Sequence, residues 1–329
     1  MGRPAQPERP APRPRRQPAA RAGRVIMRRL RALALTALLA GALAAAAPAR
    51  AVEVLTGTLR KAATSGVVAI GYRTSSIPFS FVEEGRGEGR PVGYAIDLCQ
   101  EIVDEIGRAI GRDDLRIRFV PVTSESRIPA LLSGEIDLEC GSTTANAERR
   151  RSVAFSPVTF VSATTLLVPR GSAIASYRDL AGKRVVVTAG TTNETALRAL
   201  LARLRLDAQV LTGRDHAESF ALLREGRADA FALDDVLLSG LIAAAGEAGR
   251  GFTVLPDKLS FEPYGIMFRK DDPALAGVVD AAFARLAGTR ELRWLYERWF
   301  LKRLPNGARL NLPMSEELRT SFQLLGLEE

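Results

Sequence analysis

The segment Leu131-Leu132-Ser133-Gly134-Glu135-Ile136-Asp137 recurs in altered form as Leu222-Leu223-Arg224-Glu225-Gly226-Arg227-Ala228-Asp229. In both copies an apolar pair precedes a glycine, and an aspartate follows that glycine by three residues. Glycine ends helices because it adopts the left-handed conformation at little cost, so each copy predicts a helix that stops at the glycine and a strand that begins near the aspartate. The recurrence predicts two units of the same kind in one chain.

Two further apolar runs place these copies within an alternation of strands and helices. The runs at 66–70 and 182–187 predict buried strands, and each is followed by a loop and a helix, the first helix spanning Tyr94–Ile110. Strands that alternate with helices form parallel sheets, so the predicted fold class is α/β, with two lobes that are each an α/β sheet unit. We expect a cleft between the lobes at the carboxyl ends of the strands, where loops and helix N-termini converge.

Apolar stretches between the two units predict how the lobes are joined. Segments 158–168 and 261–268 are expected to cross between the lobes as two strands that form a hinge, and helices near 273–287 and 289–300 are expected to return to the first lobe. A further helical stretch is predicted near 315–325. The predicted division is 52–160 plus 264–302 for the first lobe, 161–263 for the second lobe and 303–329 for a polar C-terminal tail.

The first 51 residues differ from the rest of the chain in charge. They contain eleven Arg and one Glu, a balance of +10, so the net charge of +9 leaves about −1 for residues 52–329. Because the basicity is confined to this leader, we do not expect nucleic-acid binding. A positive run that begins at Met27, an apolar run at 32–47 and the sequence Ala49-Arg50-Ala51 predict a cleavable secretory signal, with Met27 as an alternative start. The mature protein is therefore expected outside the cytoplasm.

Two cysteines, Cys99 and Cys140, would enter an oxidising compartment. The first lies in a predicted helix and the second at the end of a predicted strand, which leaves two alternatives: a disulfide between them or two separate buried thiols. Together with the single histidine, His216, they are too few and too irregularly spaced for a metal site, and no cofactor is expected.

Hydroxyl side chains are concentrated in the stretch Glu139-Cys140-Gly141-Ser142-Thr143-Thr144-Ala145-Asn146-Ala147-Glu148-Arg149. Asn146 and Glu148 suit the start of a helix, and Arg149 would lie in its first turn. A helix start leaves backbone N–H groups unpaired, and hydroxyls and a guanidinium beside them form a receptor for a carboxylate. No nucleophile–base pair accompanies this stretch, so it indicates binding without catalysis.

Six stretches, in order along the mature chain, resemble the periplasmic amino-acid-binding proteins of ABC importers, and within them the glutamate/aspartate-binding group. They are GYRTSSIPFS (71–80), PVTSESRIP (121–129), the stretch 139–149, VVVTAGTT (185–192), Asp215-His216 and Asp234-Asp235. The resemblance implies a two-lobe periplasmic binding protein of the type II solute-binding fold, which captures an amino acid and delivers it to a permease in the inner membrane. The chain departs from the pattern at Ala145, where many relatives carry Asn.

The resemblance implies that Arg149 binds the α-carboxylate of the ligand, with Ser142 and Thr144 adding hydrogen bonds. The alternative for Arg149 is a solvent-exposed position in the run Arg149-Arg150-Arg151, of which we expect the last two on the surface.

Asp234 follows the apolar strand 230–233, and the resemblance implies that it accepts from the ligand ammonium. The alternative is an N-cap for the helix that begins near Val236, a role that Asp235 could take instead. Thr192 follows Gly190 at another helix start, where it would either donate to a ligand carboxylate or cap the helix.

Arg73 and Arg127 are the candidates for specificity. The resemblance implies that both bind the side-chain carboxylate of the ligand, with Ser124 nearby, while the alternative for each is a surface arginine. Cleft arginines without an anion would be costly, so neutral amino acids should be rejected. His216 begins a predicted helix at 216–225. Two alternatives are open for it: contact with the ligand, or a role in helix capping or exposure to solvent.

The sequence thus predicts a monomeric, extracytoplasmic binding protein for glutamate or aspartate, and no enzyme. A different ligand, such as another dicarboxylate or a basic amino acid, is a further alternative, although three arginines argue against a cation. Two alternatives of function also remain. One is a cleft enzyme of the same fold, a dehydratase of prephenate or arogenate, for which Glu139 and Glu194 would be the acidic candidates. The other is a sensing module that presents its closed form to a membrane receptor.

Overall fold

The computed structural model describes residues 55–83 and 89–327, together with Gly2. The predicted leader, with Met27 and the cleavage site at 49–51, lies outside these residues. The helices are α1 (Gly57–Ser65), α2 (Tyr94–Ile110), α3 (Arg127–Leu132), α4 (Thr192–Leu204), α5 (His216–Arg224), α6 (Asp235–Ala244), α7 (Pro273–Gly288), α8 (Glu291–Phe300) and α9 (Glu316–Leu324). The strands are β1 (Val67–Tyr72), β2 (Ser75–Ser76), β3 (Ser80–Val82), β4 (Pro91–Val92), β5 (Arg116–Pro121), β6 (Leu138–Cys140), β7 (Val153–Phe155), β8 (Phe160–Ser162), β9 (Thr164–Pro169), β10 (Arg184–Thr188), β11 (Gln209–Gly213), β12 (Ala230–Asp234), β13 (Phe252–Val254), β14 (Glu262–Tyr264) and β15 (Met267–Arg269).

Two five-stranded sheets repeat one topology. The first has the order β5-β1-β6-β15-β7 and the second the order β11-β10-β12-β9-β13. In each, the three strands from the repeated unit are parallel and the last two strands are antiparallel to their neighbours. The predicted α/β fold with two sheet-based lobes is confirmed.

The recurring glycine turns form as the sequence predicts. Gly134 and Gly226 have φ of 79° and 69°, a left-handed conformation that ends α3 and α5. Strands β6 and β12 then begin close to Asp137 and Asp229. The long helix α2 spans the predicted residues, and its buried side chains include Ile96, which faces the core with the other apolar residues of that helix.

Strands β8 and β14 form a separate antiparallel pair and are the two predicted crossings. Phe160 of β8 stacks on Phe300 of α8 with ring centroids 4.8 Å apart, and Tyr264 of β14 lies edge-on to Phe79 at 5.1 Å. Such aromatic contacts add stability beyond the buried area. They fix β8 to α8, and β14 to the loop before β3. Helices α7 and α8 pack against α2, as predicted.

A disulfide joins Cys99 of α2 to Cys140 at the end of β6, with a Cα–Cα distance of 6.3 Å. Of the two alternatives left by the sequence, the structure thus contains the disulfide. It fastens the first long helix to the strand from which the hydroxyl-rich stretch emerges. In the C-terminal tail, the predicted helix is α9, and its Leu318 and Phe322 are buried in the core.

Candidate functional site

The carboxyl ends of strands from both sheets meet at one narrow cavity. Loops after β1, β5 and β6 approach it from the first sheet, and the starts of α4, α5 and α6 approach it from the second. It is lined by Arg73, Ser124, Arg127, Ser142, Thr144, Thr191, Thr192, Asn193, His216, Asp234 and Leu237. All the predicted ligand-binding residues except Arg149 are therefore brought to a single cavity.

Arg73 is buried, with 2% of its surface exposed, so the surface alternative is wrong. Its Nη1 and Nη2 atoms have no hydrogen-bond partner among the described residues. Burial, and next the charge of Arg127, lowers the pKa of Arg73 to about 9. A buried guanidinium with unused donors is costly in an apolar interior and is therefore suited to receive an anion.

Arg127 is also buried, at 3% exposure, and again the surface alternative is wrong. Its Nη1 donates to Thr143 Oγ1 over 2.7 Å, and that hydroxyl donates to Glu139 Oε2 over 2.5 Å. Burial lowers the pKa of Arg127, and the fully buried Glu139 acts in the opposite direction. Glu139 is thus the counter-charge beneath the arginines, a role that the sequence did not indicate.

Arg149 does not line the cavity, and the helix predicted to start before it is only a three-residue 3-10 turn, Arg149–Arg151. Asn146 Oδ1 accepts from the Arg149 N–H over 2.9 Å, as the cap of a helix start does, but the helix stays at one turn because the chain enters β7 at Val153. The Arg149 guanidinium donates to the Thr144 carbonyl oxygen over 2.9 Å. Burial, and next Arg127, lowers the pKa of Arg149 to about 10, while its neighbours Arg150 and Arg151 are exposed as expected.

His216 is 1% exposed, so solvent exposure is wrong, and Asp215 supplies the N-cap of α5. Its Nδ1 lies 2.9 Å from Thr188 Oγ1, and its Nε2 has no partner among the described residues. Burial, with the charges of Arg73 and Arg127, lowers the pKa of His216 well below its usual value. The lowered pKa favours the neutral imidazole, which lies in the lining of the cavity.

Asp234 is the acidic group of the cavity. Its carboxylate accepts from Asn193 Nδ2 over 2.6 Å and from the hydroxyl of Tyr264, and it makes no side-chain capping bond. Asp234 occupies the N-cap position of α6, but its side chain does not cap the helix, and Asp235 accepts from the Val236 N–H. Burial, and next the charge of Glu262, raises the pKa of Asp234 to about 7.

Thr192 does not cap α4, because Thr191 accepts from the Glu194 N–H. The Thr192 hydroxyl donates instead to Glu262 Oε2 over 2.8 Å. The sequence did not single out Glu262, Tyr264 or Asn193 for this site. For Glu262 and Tyr264 the one available signal was an acid and a tyrosine flanking a proline within an apolar crossing stretch.

Ser124 and Ser142 are buried, and their Oγ atoms have no hydrogen-bond partner among the described residues. Their hydroxyls and the guanidinium groups together supply hydrogen-bond donors at one side of the cavity. Asp234 supplies an anion at another side. The lining of the cavity is therefore chemically suited to a small molecule that carries both anionic and cationic groups.

Neither acidic candidate for the enzyme alternative lines the cavity. Glu139 accepts from Thr143, and Glu194 pairs with Arg198 on α4 at 2.9 Å. Within residues 55–83 and 89–327, no group of three or more His, Cys, Asp or Glu side chains could hold a metal ion. None of the helices in the described part of the chain is long and apolar enough to cross a membrane.

Residues 68–302 match the family of bacterial extracellular solute-binding proteins, family 3. The chain is 41% identical over 294 residues to an L-glutamate/L-aspartate-binding protein of Pseudomonas aeruginosa, covering 89% of this chain and 95% of the relative. It is 37% identical over 296 residues to a glutamate/aspartate import solute-binding protein of Escherichia coli, covering 88% and 95%. Among solved structures, an ancestral amino acid-binding protein that is a precursor of cyclohexadienyl dehydratase is 30% identical with a TM-score of 0.63, covering 74% of this chain and 99% of that one.

Proposed function

Because the chain belongs to the bacterial extracellular solute-binding proteins of family 3, we propose that it binds glutamate or aspartate and delivers it to an ABC importer. The relatives with 37–41% identity are binding proteins for these two amino acids. The match extends over nearly the whole length of each relative. They are not enzymes, which favours the binding function over the dehydratase alternative.

One observation carries the choice of an acidic ligand. Arg73, buried beside Arg127, has both terminal nitrogens without a partner among the described residues, in the same cavity as Asp234. A dicarboxylic amino acid supplies an anion for the guanidinium groups and an ammonium for Asp234. A neutral amino acid would leave the Arg73 guanidinium without a hydrogen-bond partner. This typically costs about 1–3 kcal/mol of binding free energy, and more for a charged group.

Each end of the ligand has its own receptors. Arg149, Ser142 and the loop at Thr144 receive the α-carboxylate, and Asp234 receives the ammonium. The side-chain carboxylate is received by Arg73, Arg127 and Ser124. The neutral Nε2 of His216 belongs to the same part of the cavity lining. Several charge-assisted hydrogen bonds in a dewatered cavity are sufficient for micromolar affinity, which requires about 8 kcal/mol.

Binding is coupled to closure of two lobes, formed by residues 52–160 with 264–302 and by residues 161–263. The lobes contact each other beside the cavity, where the Ala217 N–H donates to Ser75 Oγ over 3.3 Å. The pair β8–β14 is the hinge between them. Ligand contacts with both lobes are available only when the lobes are closed, so binding favours the closed form.

The protein acts as a monomer in the periplasm, after removal of a signal peptide, and its partner is a permease in the inner membrane. A thermal-shift screen of the twenty amino acids on residues 52–329 tests the function, because a ligand that binds only the folded state raises its melting temperature. Glutamate and aspartate are expected to give the largest shifts. A larger shift with arginine, lysine or a neutral amino acid would contradict the proposal.

A further inference from the structure

The C-terminal tail lies beyond residues 68–302, which match the family, and yet part of it is buried in the core of the protein. Leu304, Leu318 and Phe322 are 2%, 1% and 0% exposed, respectively. Helix α9, which carries the last two, has a side-chain cap, since Ser315 Oγ accepts from the Leu318 N–H over 3.3 Å. The tail is therefore a fixed part of the fold and can resist a movement of its neighbours.

Leu312 of the tail holds two aromatic residues of α8. Its N–H donates to the Phe300 carbonyl oxygen over 3.0 Å, and its own carbonyl oxygen accepts from the Tyr296 hydroxyl over 3.3 Å. The rings of both residues stack on Phe160 of the crossing strand β8, with centroid distances of 4.8 Å for Phe300 and 6.2 Å for Tyr296. The tail is thus connected to the hinge through the two rings against which β8 packs.

A groove separates the tail from the second lobe. It is lined by Leu312 and Leu318 of the tail, by Phe160 of β8, and by Val236 and Ser239 of α6. Leu237, which follows Val236 on α6, lines the cavity of the candidate site instead. Because successive residues of a helix point about 100° apart, α6 borders the cavity with one face and the groove with another.

The hinge pair β8–β14 lies between the cavity and the groove. Tyr264 of β14 forms a β-bridge with Thr144, which lines the cavity, so β14 is the strand beside the cavity. The other strand, β8, lines the groove with Phe160 and Val161. If the two strands bend so that the cavity opens on one side, the space on the other side becomes narrower. Opening therefore carries α6 toward the C-terminal tail.

We propose that the C-terminal tail is a stop for the hinge, and that the groove is the space into which α6 moves when the cavity opens. The inference rests on the proposed function, because it requires that the lobes close around a ligand. The width of the groove then limits how far the ligand-free protein opens. Since the apparent affinity depends on the populated fraction of the form that binds, a side chain that fills the groove should raise the affinity for glutamate and slow its release.

Ser239→Leu tests this proposal from the side of the second lobe. The Ser239 hydroxyl donates to the Asp235 carbonyl oxygen of its own helix, so its loss leaves the contacts between the lobes intact. The variant should bind glutamate about tenfold more tightly in calorimetry and release it about tenfold more slowly in a chase with unlabelled glutamate. Ser239→Ala, the matched control, removes the same hydroxyl without filling the groove and should change neither value. An unchanged affinity and release rate in Ser239→Leu would overturn the inference.

The opposite wall of the groove provides a second test. Leu318→Ala shortens the side chain that the tail contributes, so adding Ser239→Leu to this variant should leave the release rate of Leu318→Ala unchanged. Both members of this comparison carry Leu318→Ala, so a loss of stability caused by that substitution does not affect the result. A tenfold slowing that persists without Leu318 would show that the introduced side chain does not act against the tail, and would overturn the inference.

Small-angle X-ray scattering separates this inference from the proposed function. Glutamate should make the wild-type protein more compact, and ligand-free Ser239→Leu should be more compact than ligand-free wild type or Ser239→Ala. If the wild type neither binds glutamate nor becomes more compact with it, the proposed function is wrong. If the wild type closes with glutamate but ligand-free Ser239→Leu is as open as the wild type, the tail is not a stop and only the present inference is wrong.

Discussion

Gly240 of α6 lies directly against the carbonyl oxygen of Ile77, so closely that a β-carbon at position 240 would overlap that oxygen. Ile77 follows β2 beside the first sheet, and α6 belongs to the second, so this glycine lies where the two lobes meet. Its helical backbone does not require glycine. The close approach of the lobes accounts for its lack of a side chain.

Gly240→Ala is therefore expected to weaken glutamate binding while leaving the ligand-free protein at least as stable. Alanine favours a helix interior over glycine by about 1 kcal/mol, but in the closed form its methyl group must displace the backbone at Ile77. Calorimetry measures the affinity and urea unfolding measures the stability. A matched control is Gly277→Ala in α7, where a β-carbon meets nothing within 4 Å.

The Gly277→Ala variant should gain stability without a change in affinity. If Gly240→Ala also binds glutamate as the wild type does, then the contact with Ile77 does not limit closure.

The pKa of Asp234, raised to about 7 by burial and by Glu262, makes ligand binding depend on pH. An ammonium requires the ionised carboxylate, so below about pH 7 binding must release a proton, and the affinity for glutamate should fall as the pH falls, by up to about tenfold per pH unit. Arg73 and Arg149, with pKa values of about 9 and about 10, remain charged in this range. His216 remains neutral because its pKa is lowered well below its usual value.

The proton release is measured by calorimetry at pH 6 in buffers of different ionisation enthalpy. The ligand-free protein provides an independent check of sign. The pKa of Asp234 is higher in the folded protein than in the unfolded chain. The free energy of unfolding of the ligand-free protein should therefore fall as the pH rises from about 4 to about 7. Asp234→Asn should remove both effects, and a wild-type affinity independent of pH over this range would contradict the assignment.

Reduction of the Cys99–Cys140 disulfide should destabilise the protein. The bond closes a loop with a sequence separation of 41 residues, for which the loss of chain entropy in the unfolded state corresponds to about 4 kcal/mol. Urea unfolding with and without a reductant measures the difference. A Cys99→Ser/Cys140→Ser variant should have the lower stability and no response to reductant, and a wild type unaffected by complete reduction would contradict the expectation.

The fold was predictable because its signals are local. The bounds of Tyr94–Ile110 follow from its apolar spacing and the glycine after it, and the glycine turns at Gly134 and Gly226 repeat in both units. The candidate arginines were found through resemblance, since a charge run alone does not distinguish a buried arginine from an exposed one.

The carboxylate network of the site was not predictable in this way. Thr144 and Glu262 are 118 residues apart in the chain, and they meet because β14 lies beside the loop after β6. From the sequence, Glu139 was considered only as a possible catalytic acid. Nothing near it in the sequence indicates that Arg73 and Arg127 lie close to it in the fold. The helix expected after Asn146 is only one turn long because the chain enters β7 at Val153, although Asn146 Oδ1 accepts from the Arg149 N–H as a helix cap does.

The arginines should differ in which ligands they affect. Arg73→Ala removes the guanidinium proposed for the side-chain carboxylate, so glutamate affinity should fall roughly ten- to a hundredfold while glutamine affinity changes little. Arg149→Ala removes the partner proposed for the α-carboxylate, which both amino acids carry. The affinities for glutamate and for glutamine should therefore both fall by at least roughly ten- to a hundredfold. Arg150→Ala is the matched control, because Arg150 is exposed and lies 5.3 Å from the Phe155 ring centroid.

Calorimetry with glutamate and glutamine on the three variants gives six affinities, and the argument depends on their ratios. If Arg73 binds the side-chain carboxylate, the glutamate-to-glutamine ratio falls in Arg73→Ala and is preserved in Arg149→Ala, because only the first variant removes a group that distinguishes the two ligands. The opposite pattern would exchange the two roles. An unchanged glutamate affinity in Arg149→Ala would show that its guanidinium, bonded to the Thr144 carbonyl, supports the loop and does not contact the ligand.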